Sequence, residues 1–383
     1  MTNAFTARIH EAARGLPDIG EAWRACLAAC PPEQRLYSHA WYESWLETHG
    51  ARAPWLGRTR VAVAYDPAGA PRAILPLVYR RSEGLTYLSL AGNYQPLRSF
   101  PCVPDAADAA CRAIVAALLR EGGDWDVLRM GPVDTASPER AALVRACDAA
   151  FRRRVAIPRG RTFVNRLAPT FEAYARSSTG KRCERYARRF AREPGASIRH
   201  FESPAPDDAA RMYADLASVE QRSWLATRGG HPRFMGDVAQ AFWRRVTETS
   251  LAPGRHLDAW IAYVGPLPVG FRFVIRSVAT DYVIANQYDE QYGEFRLGWI
   301  LYMDHLRLAT RRGTRVLDMD PGDAHYKDRL GGEEADLRVD MVYFRDSAKG
   351  IAGRALLAGL LAAREKLRRT PWGRRLAERL PRV

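Results

Sequence analysis

The chain of 383 residues holds 58 lysines and arginines against 43 aspartates and glutamates, a formal net charge of +15, with 47% apolar and 26% charged residues. This is ordinary for a soluble globular protein of two or three domains, each half long enough to bury a core. The basic excess points to an anionic partner (a nucleotide, nucleic acid or an acidic membrane surface) or to an arginine-rich composition with no functional consequence. Six scattered cysteines with no C-x-x-C pair exclude a zinc framework and read as reduced structural residues. MTNAFTARIHEAARG lacks an apolar signal core, and ALLAGLLAA falls far short of the ~20 residues that span a bilayer, so the sequence reads as cytosolic.

Residues 18–50 are helical in pattern, with a Ser38 cap and Gly50 as a stop. Strands follow at 60–65, 73–79 and 85–90, the first two joined by the turn DPAGAP. A helix at 105–120, a buried strand at 125–130 and a helix at 137–151 complete the first half. The order then recurs: strands at 257–264, 269–276 and 280–288, a helix at 298–312 closed by Gly313, and strands at 314–319 and 337–344. A pattern repeated with little residue identity predicts two like α/β domains of mixed sheet, 1–168 and 169–345, with a basic amphipathic helical tail over 346–383. Between the halves, TFEAYARSSTGKRCERYARRFARE carries Cys183, Tyr186, Ala187 and Phe190 at helical spacing. Its basic remainder is either a solvated face or an electropositive wall for an anionic ligand. The tail is either packed on the body or a membrane-surface helix.

The chemistry concentrates in LGWILYMDHLRLATRRGTRVLDMDPGDAHYKDRL, Leu297–Leu330. A helix starting at Gly298 presents unpaired N–H groups and a positive dipole end, a natural seat for phosphate, with Arg296 beside it. Asp318 and Asp320, two apart on a strand, share a face. They serve either structural hydrogen bonds or acceptor binding and proton removal. Lys327 suits a phosphate as a point charge, and Tyr326 suits stacking or hydrogen bonding. Other chemistries fail on spacing: no H-E-x-x-H, no G-x-S-x-G, no G-x-G-x-x-G after a strand, and Ala175 where a P-loop needs its first glycine.

NQYDEQYGEFRLGWIL and GTRVLDMDPGDAHYKDRL resemble the second half of the CelD/BcsL-type acetyltransferases. These are BioF2-like members of the GNAT superfamily, related to the FemAB peptidyltransferases. The matching positions are Tyr288-Asp289, Gly298, Asp318, Gly322-Asp323 and Tyr326-Lys327, with Leu297 where proline is usual. SVEQRSWLA around Glu220 and Trp224, STGKRCERYARRF, SHAWYESWLETHG and ILPLVYRR extend the resemblance over most of the chain.

The resemblance implies tandem GNAT-like domains and an acyl-CoA donor, acetyl-CoA first among them, with no metal. The implied donor site holds Ala285, Gln287, Arg296, Gly298, Tyr326 and Lys327. Trp224, Asp318 and Asp323 would line the acceptor cleft, and the candidate bases are Glu220, Asp289 and Asp320. The expected reaction is N- or O-acylation of a small-molecule or glycan acceptor, linked by the family to exopolysaccharide or cell-envelope biosynthesis, with no DNA partner. Two alternatives stand beside it: aminoacyl transfer from charged tRNA, and a non-catalytic protein held at the inner membrane by its basic tail.

Overall fold

The computed structural model describes residues 4–49, 58–92, 99–133, 136–228, 232–249, 256–321 and 324–369. The first half is built from β1 (Thr6–Ala12), α1 (Gly20–Ala29), α2 (His39–His49), β2 (Thr59–Tyr65), β3 (Pro71–Ser82), β4 (Leu85–Leu90), α3 (Ala107–Glu121), β5 (Val127–Val133) and α4 (Pro138–Ala150). Next come β6 (Arg153–Arg166), α5 (Phe171–Ala175), α6 (Ser178–Phe190), β7 (Ala196–Glu202), α7 (Pro206–Arg222), α8 (Trp224–Arg228) and α9 (Asp237–Glu248). The chain continues through β8 (His256–Val264), β9 (Leu267–Arg276), β10 (Thr280–Tyr288), α10 (Leu297–Arg312), β11 (Val316–Pro321), α11 (Ala324–Arg329), β12 (Glu333–Phe344) and α12 (Ala348–Arg368).

All twelve strands form one sheet in the order β1-β2-β3-β4-β5-β12-β6-β11-β10-β9-β8-β7. The repeat expected from the sequence is visible in it. In each half four strands meander antiparallel and a fifth returns parallel after a helix: β4 with β5, and β10 with β11. The last strands are exchanged. β12, from the end of the second half, pairs with β5, while β6, from the end of the first, pairs with β11. The exchanged strands pair with each other at the centre of the sheet.

Alternation along the strands covers both faces. Val61 and Val63 of β2 lie in one core, and Ala62 and Ala64 in the other. The first of these cores is common to both halves: α1 and α2 share it with α7 and α9. Trp41 of α2 meets Phe242 of α9 edge-on at 5.1 Å, and Trp243 meets Phe273 of β9 at 4.9 Å. On the opposite face α3 and α4 cover the first half, and α6 and α10 cover the second.

Ser38 caps α2 as expected, its Oγ accepting from the Trp41 amide at 3.4 Å, and Gly313 ends α10 at φ +78°. The helix expected from 105 begins as a 3-10 turn that holds Asp105, and α3 follows without a side-chain cap. α12 rests one face on the sheet, with Leu357 buried and Gly353 against Leu85, and leaves Ile351, Leu356 and Leu360 exposed. Gly50 and the helix expected after Pro371 lie outside the described residues. All six cysteines are free and buried, and no helix among the described residues is long and apolar enough to cross a membrane.

A sheet whose halves exchange strands and share an aromatic core is expected to unfold as a unit. Urea unfolding followed by tryptophan fluorescence and far-UV circular dichroism should give coincident single transitions. A fragment ending at residue 168, which leaves β5 without β12, should not fold alone; a monomeric, cooperatively unfolding fragment would contradict this.

Candidate active site

β10 and β11 pair at only three positions: Thr280 with Val316, Asp281 with Leu317 and Tyr282 with Asp318. Beyond these, β10 runs to Tyr288 against β9, and β11 runs against β6. The strands part and open a wedge in the sheet. The cause is local: β10 carries an extra residue, Ile284, between the paired positions Val283 and Ala285. Such a bulge bends and twists its strand. Ile284 and Ala285 accordingly both enter the core on the α7 face, while Val283 lies in the core beneath α10.

A 3-10 turn, Glu290–Phe295, leads from β10 to Arg296, whose left-handed backbone (φ +55°) caps α10. The helix start is drawn tightly against β10: a Cβ on Gly298 would stand 3.1 Å from Nδ2 of Asn286. The Leu297 and Gly298 amides at its start have no intrahelical acceptors, while the Trp299 amide donates to the Arg296 carbonyl at 2.8 Å. Two buried oxygens at the end of β10, Asn286 Oδ1 and Gln287 Oε1, have no hydrogen-bond partner. Helix α6 flanks this corner. Tyr186 meets Trp299 at 6.4 Å, the Arg182 guanidinium sits 5.7 Å from the Trp299 ring centre, and Arg189 pairs with Glu294. Exposed Lys181, Arg185, Arg192 and Arg296 make the corner electropositive.

The other arm of the wedge ends in two aspartates. Asp318 is buried, and its Oδ1 accepts from the Asp320 amide at 2.9 Å. Burial pushes its carboxyl up to about 6, against that hydrogen bond and the charges of Lys327 and Arg140. Asp320 has a left-handed backbone, φ +62°, at a register shift between β11 and β6. Its side chain is 25% exposed, and Oδ2 lies 3.6 Å from the Arg233 guanidinium. Burial pushes its carboxyl up to about 7, opposed by Arg233 and Lys327 and assisted by Asp318. The first half supplies the far wall. Arg140 donates to Tyr37 Oη and Ser99 Oγ, each at 3.1 Å. Arg338 of β12 donates to Thr162 Oγ1 at 2.7 Å and lies 3.7 Å from Asp318.

Three sequence expectations need correction. Glu220 is fully buried, and its carboxylate accepts from the amides of Arg233, Phe234 and Met235 at 2.8–3.1 Å. A carboxylate so saturated is a clamp for the loop that carries Arg233, not a base. Asp289 is buried, bonded to Arg222 Nε at 2.6 Å and to the Gln291 amide at 3.0 Å, and caps the turn before α10. Lys327 is 3% exposed; its ammonium donates to the Asp320 carbonyl and lies 5.4 Å from the Phe163 ring centre. It holds the main chain of Asp320 and does not meet solvent as a phosphate ligand would.

Among the remaining candidates, Ala285 and Gln287 lie on the bulged arm, and Arg296 and Gly298 at the helix start. Trp224 opens α8 and is 40% exposed. Tyr326 lies on α11, and Asp323 lies outside the described residues. The sequence offered no sign of Arg233, Arg140, Arg338 or Tyr37, which reach the aspartates from distant segments. Among the described residues no three metal-ligating side chains come together.

Residues 177–328 match the family model described as an acetyltransferase (GNAT) domain, a span from the cap of α6 into α11 that includes both arms of the wedge. Among solved structures the chain is similar to FemX, with TM-score 0.58 and 9% identity over 88% of this chain and 98% of that one. It is also similar to a conserved protein of unknown function from Bacteroides thetaiotaomicron, with TM-score 0.51 and 13% identity over 88% of this chain and all of that one. A tandem GNAT protein from the clavulanic acid biosynthesis pathway aligns with TM-score 0.47 and 16% identity over 88% of this chain and 98% of that one. At these identities the likeness is one of fold. No curated protein matches the chain.

The raised carboxyl of Asp320 has a consequence for stability. Its folded pKa lies above the unfolded value, so the folded state holds a proton that the unfolded state has lost, and stability falls as pH rises from about 4 to about 7. Asp320→Asn is therefore expected to raise Tm, more at pH 8 than at pH 5, as differential scanning calorimetry would show. Arg233→Ala should push the Asp320 carboxyl higher still. GNAT domains draw acyl groups from acyl-CoA donors, and the match of residues 177–328 to such a domain supports an acyltransferase enzyme.

Proposed function

We propose that the chain transfers an acyl group from acyl-CoA to an amine or hydroxyl, with Asp320 as general base at the mouth of the wedge. The observation that carries this reading is the pair of arms. One ends at an electropositive helix start with a bulged, partly unpaired strand edge. The other ends at a carboxyl poised near neutrality. The donor's diphosphate would lie on the first turn of α10 near Gly298 and Arg296, with the basic side of α6 close by. The thioester would thread between β10 and β11. Backbone amides near Ala285–Gln287 would polarise its carbonyl.

A thioester is already activated, so alignment of the nucleophile supplies much of the acceleration. Asp320 takes the proton as the nucleophile attacks the carbonyl carbon, the carbon–sulfur bond breaks, and the departing sulfur ends as the thiol. A base with a pKa near 7 is matched to this task at neutral pH. An acetyl group, an exopolysaccharide or cell-envelope acceptor and a cytosolic site of action are the finer parts of this reading, supported by the CelD/BcsL-type resemblance.

A thiol-release assay with acyl-CoA and a panel of amines and hydroxyl compounds tests it. The rate should rise with pH through about 7 as the Asp320 carboxyl ionises. Asp320→Asn should lower kcat by about 10²–10⁴-fold. Gly298→Val should raise KM for acyl-CoA with less effect on kcat. Full activity in Asp320→Asn would remove the assignment of the base. A second reading, charged tRNA as donor, is favoured by the basic face of α6 beside α10; salt-sensitive tRNA binding together with no CoA-induced rise in Tm would replace the first.

A further inference from the structure

We propose that the sheet face between the α1–α2 layer and α12 holds a phosphate-binding site, formed by Arg80, Ser89 and Arg129 and bordered by the Arg159–Asp340 pair, which anchors the anionic end of the acyl acceptor. The site itself does not depend on the reaction proposed above; its assignment to the acceptor does.

Arg80, Ser89 and Arg129 share one face by register. Arg80 of β3 stands opposite Tyr87 of β4, and Ser89 stands between Val78 and Arg129 of β5. Val78 lies under the α1–α2 layer. Val342, which pairs with Arg129, lies beneath Leu357 of α12. Asp340 of β12 and Arg159 of β6 continue the row. Arg159 Nε and Nη2 and Arg129 Nε all donate to a single oxygen, Oδ2 of Asp340, at 2.9, 2.7 and 3.1 Å.

Two guanidiniums thus share one carboxylate, and with Arg80 nearby the row keeps a positive excess. Arg80 has no carboxylate in ion-pair range among the described residues, and its buried Nε has no hydrogen-bond partner. Burial, then the nearby Arg129 charge, lowers its pKa. Ser89 is 4% exposed, and its Oγ is likewise without a partner. Holding a half-buried guanidinium beside a like charge is costly unless an anion joins them.

Phosphate fits best. The Arg80 and Arg129 guanidiniums lie to either side of the Ser89 hydroxyl on neighbouring strands, which suits a multi-oxygen anion, and the guanidinium fork matches phosphate in bidentate fashion. The site is open to solvent: the Arg129 and Arg159 side chains are 31% and 25% exposed. It is separate from the donor corner, because α10 packs on the opposite face of the sheet. Arg338, two residues before Asp340 on the same strand face, leads from the row to Asp318. Strand spacing and rise put the Arg129–Arg159 pair on the order of 15–20 Å from Asp320. That is the reach of a sugar or short peptide attached to phosphate.

The test is calorimetric titration of the full chain with orthophosphate, pyrophosphate and phosphatidic acid vesicles, with CoA as a separate arm. Pyrophosphate should bind the wild type and bind Arg80→Gln and Arg129→Gln about tenfold or more weakly, the loss of one charge-assisted contact. CoA binding should be unchanged in both. Arg80→Gln should not lower Tm without ligand, because its buried nitrogen bonds nothing; this separates lost binding from lost folding. Tighter binding of soluble diphosphate than of vesicles identifies a soluble acceptor, and the reverse a lipid-borne one. No binding at millimolar probe, affinities within twofold across the variants, or loss of pyrophosphate binding in Gly298→Val would each overturn the site. Binding through Arg80 in a chain that releases no thiol would support the site and overturn only its assignment to the acyl acceptor.

Discussion

The candidate site of this protein depends on two parallel strands staying together for three residues and then parting. β10 leaves because a bulged residue, Ile284, adds twist just past the last paired position. β11 turns at Asp320, whose left-handed backbone sits at a register shift against β6 before pairing resumes at Pro321. A non-glycine residue held there costs roughly 1–3 kcal/mol and persists only where its surroundings over-determine it. Here three contacts do so. The Lys327 ammonium holds the Asp320 carbonyl, the Asp318 carboxylate holds its amide, and Arg233 stands against its side chain.

These restraints explain the electrostatics as well. Two carboxyls are largely withdrawn from water on one short strand, and among the described residues the guanidiniums nearest them stand off. Arg338 and Arg233 stay at 3.7 and 3.6 Å, too far for a tight pair. Desolvation therefore dominates, and both carboxyls rise toward neutrality. A closer arginine would stabilise the ionised form and lower its basicity. Glu220 acts on this balance from a distance, since the three amides it holds belong to the loop that presents Arg233.

Much of this was legible in the sequence, for reasons that can be named. Period-two runs such as RVAVAY and VGFRFVIR, and the glycine after the α10 pattern, report local geometry directly. The i, i+2 spacing of Asp318 and Asp320 pointed to the end of β11, where the structure places both. β6 was missed because Arg153–Arg166 mixes arginines with Pro158 and Gly160, so its alternation is masked, and short β1 and β7 hide among charged residues. Lys327 was misread because a lysine in a polar stretch looks solvated; only the fold shows that α11 turns it inward. Glu220 was misread because burial beneath three amides is a tertiary fact. The exchange of β6 and β12 is invisible locally, since either strand satisfies the same pattern on either neighbour.

That exchange is also what makes the two halves one device. β12 belongs in sequence to the half with the wedge, yet it lies beside β5. Along its one face it sends Arg338 toward Asp318 and Asp340 toward the arginines of β5 and β6. The strand therefore couples the reacting end of the sheet mechanically to the arginine row in the first half. Had each half kept its own last strand, these two sites would sit on separate sheets with a mobile joint between them. With the strands exchanged, their separation is set by strand spacing and register, quantities that backbone hydrogen bonds hold to within fractions of an ångström. A substrate long enough to touch both sites would meet a fixed ruler, and its length would decide whether its nucleophile reaches the carboxyl at the mouth of the wedge.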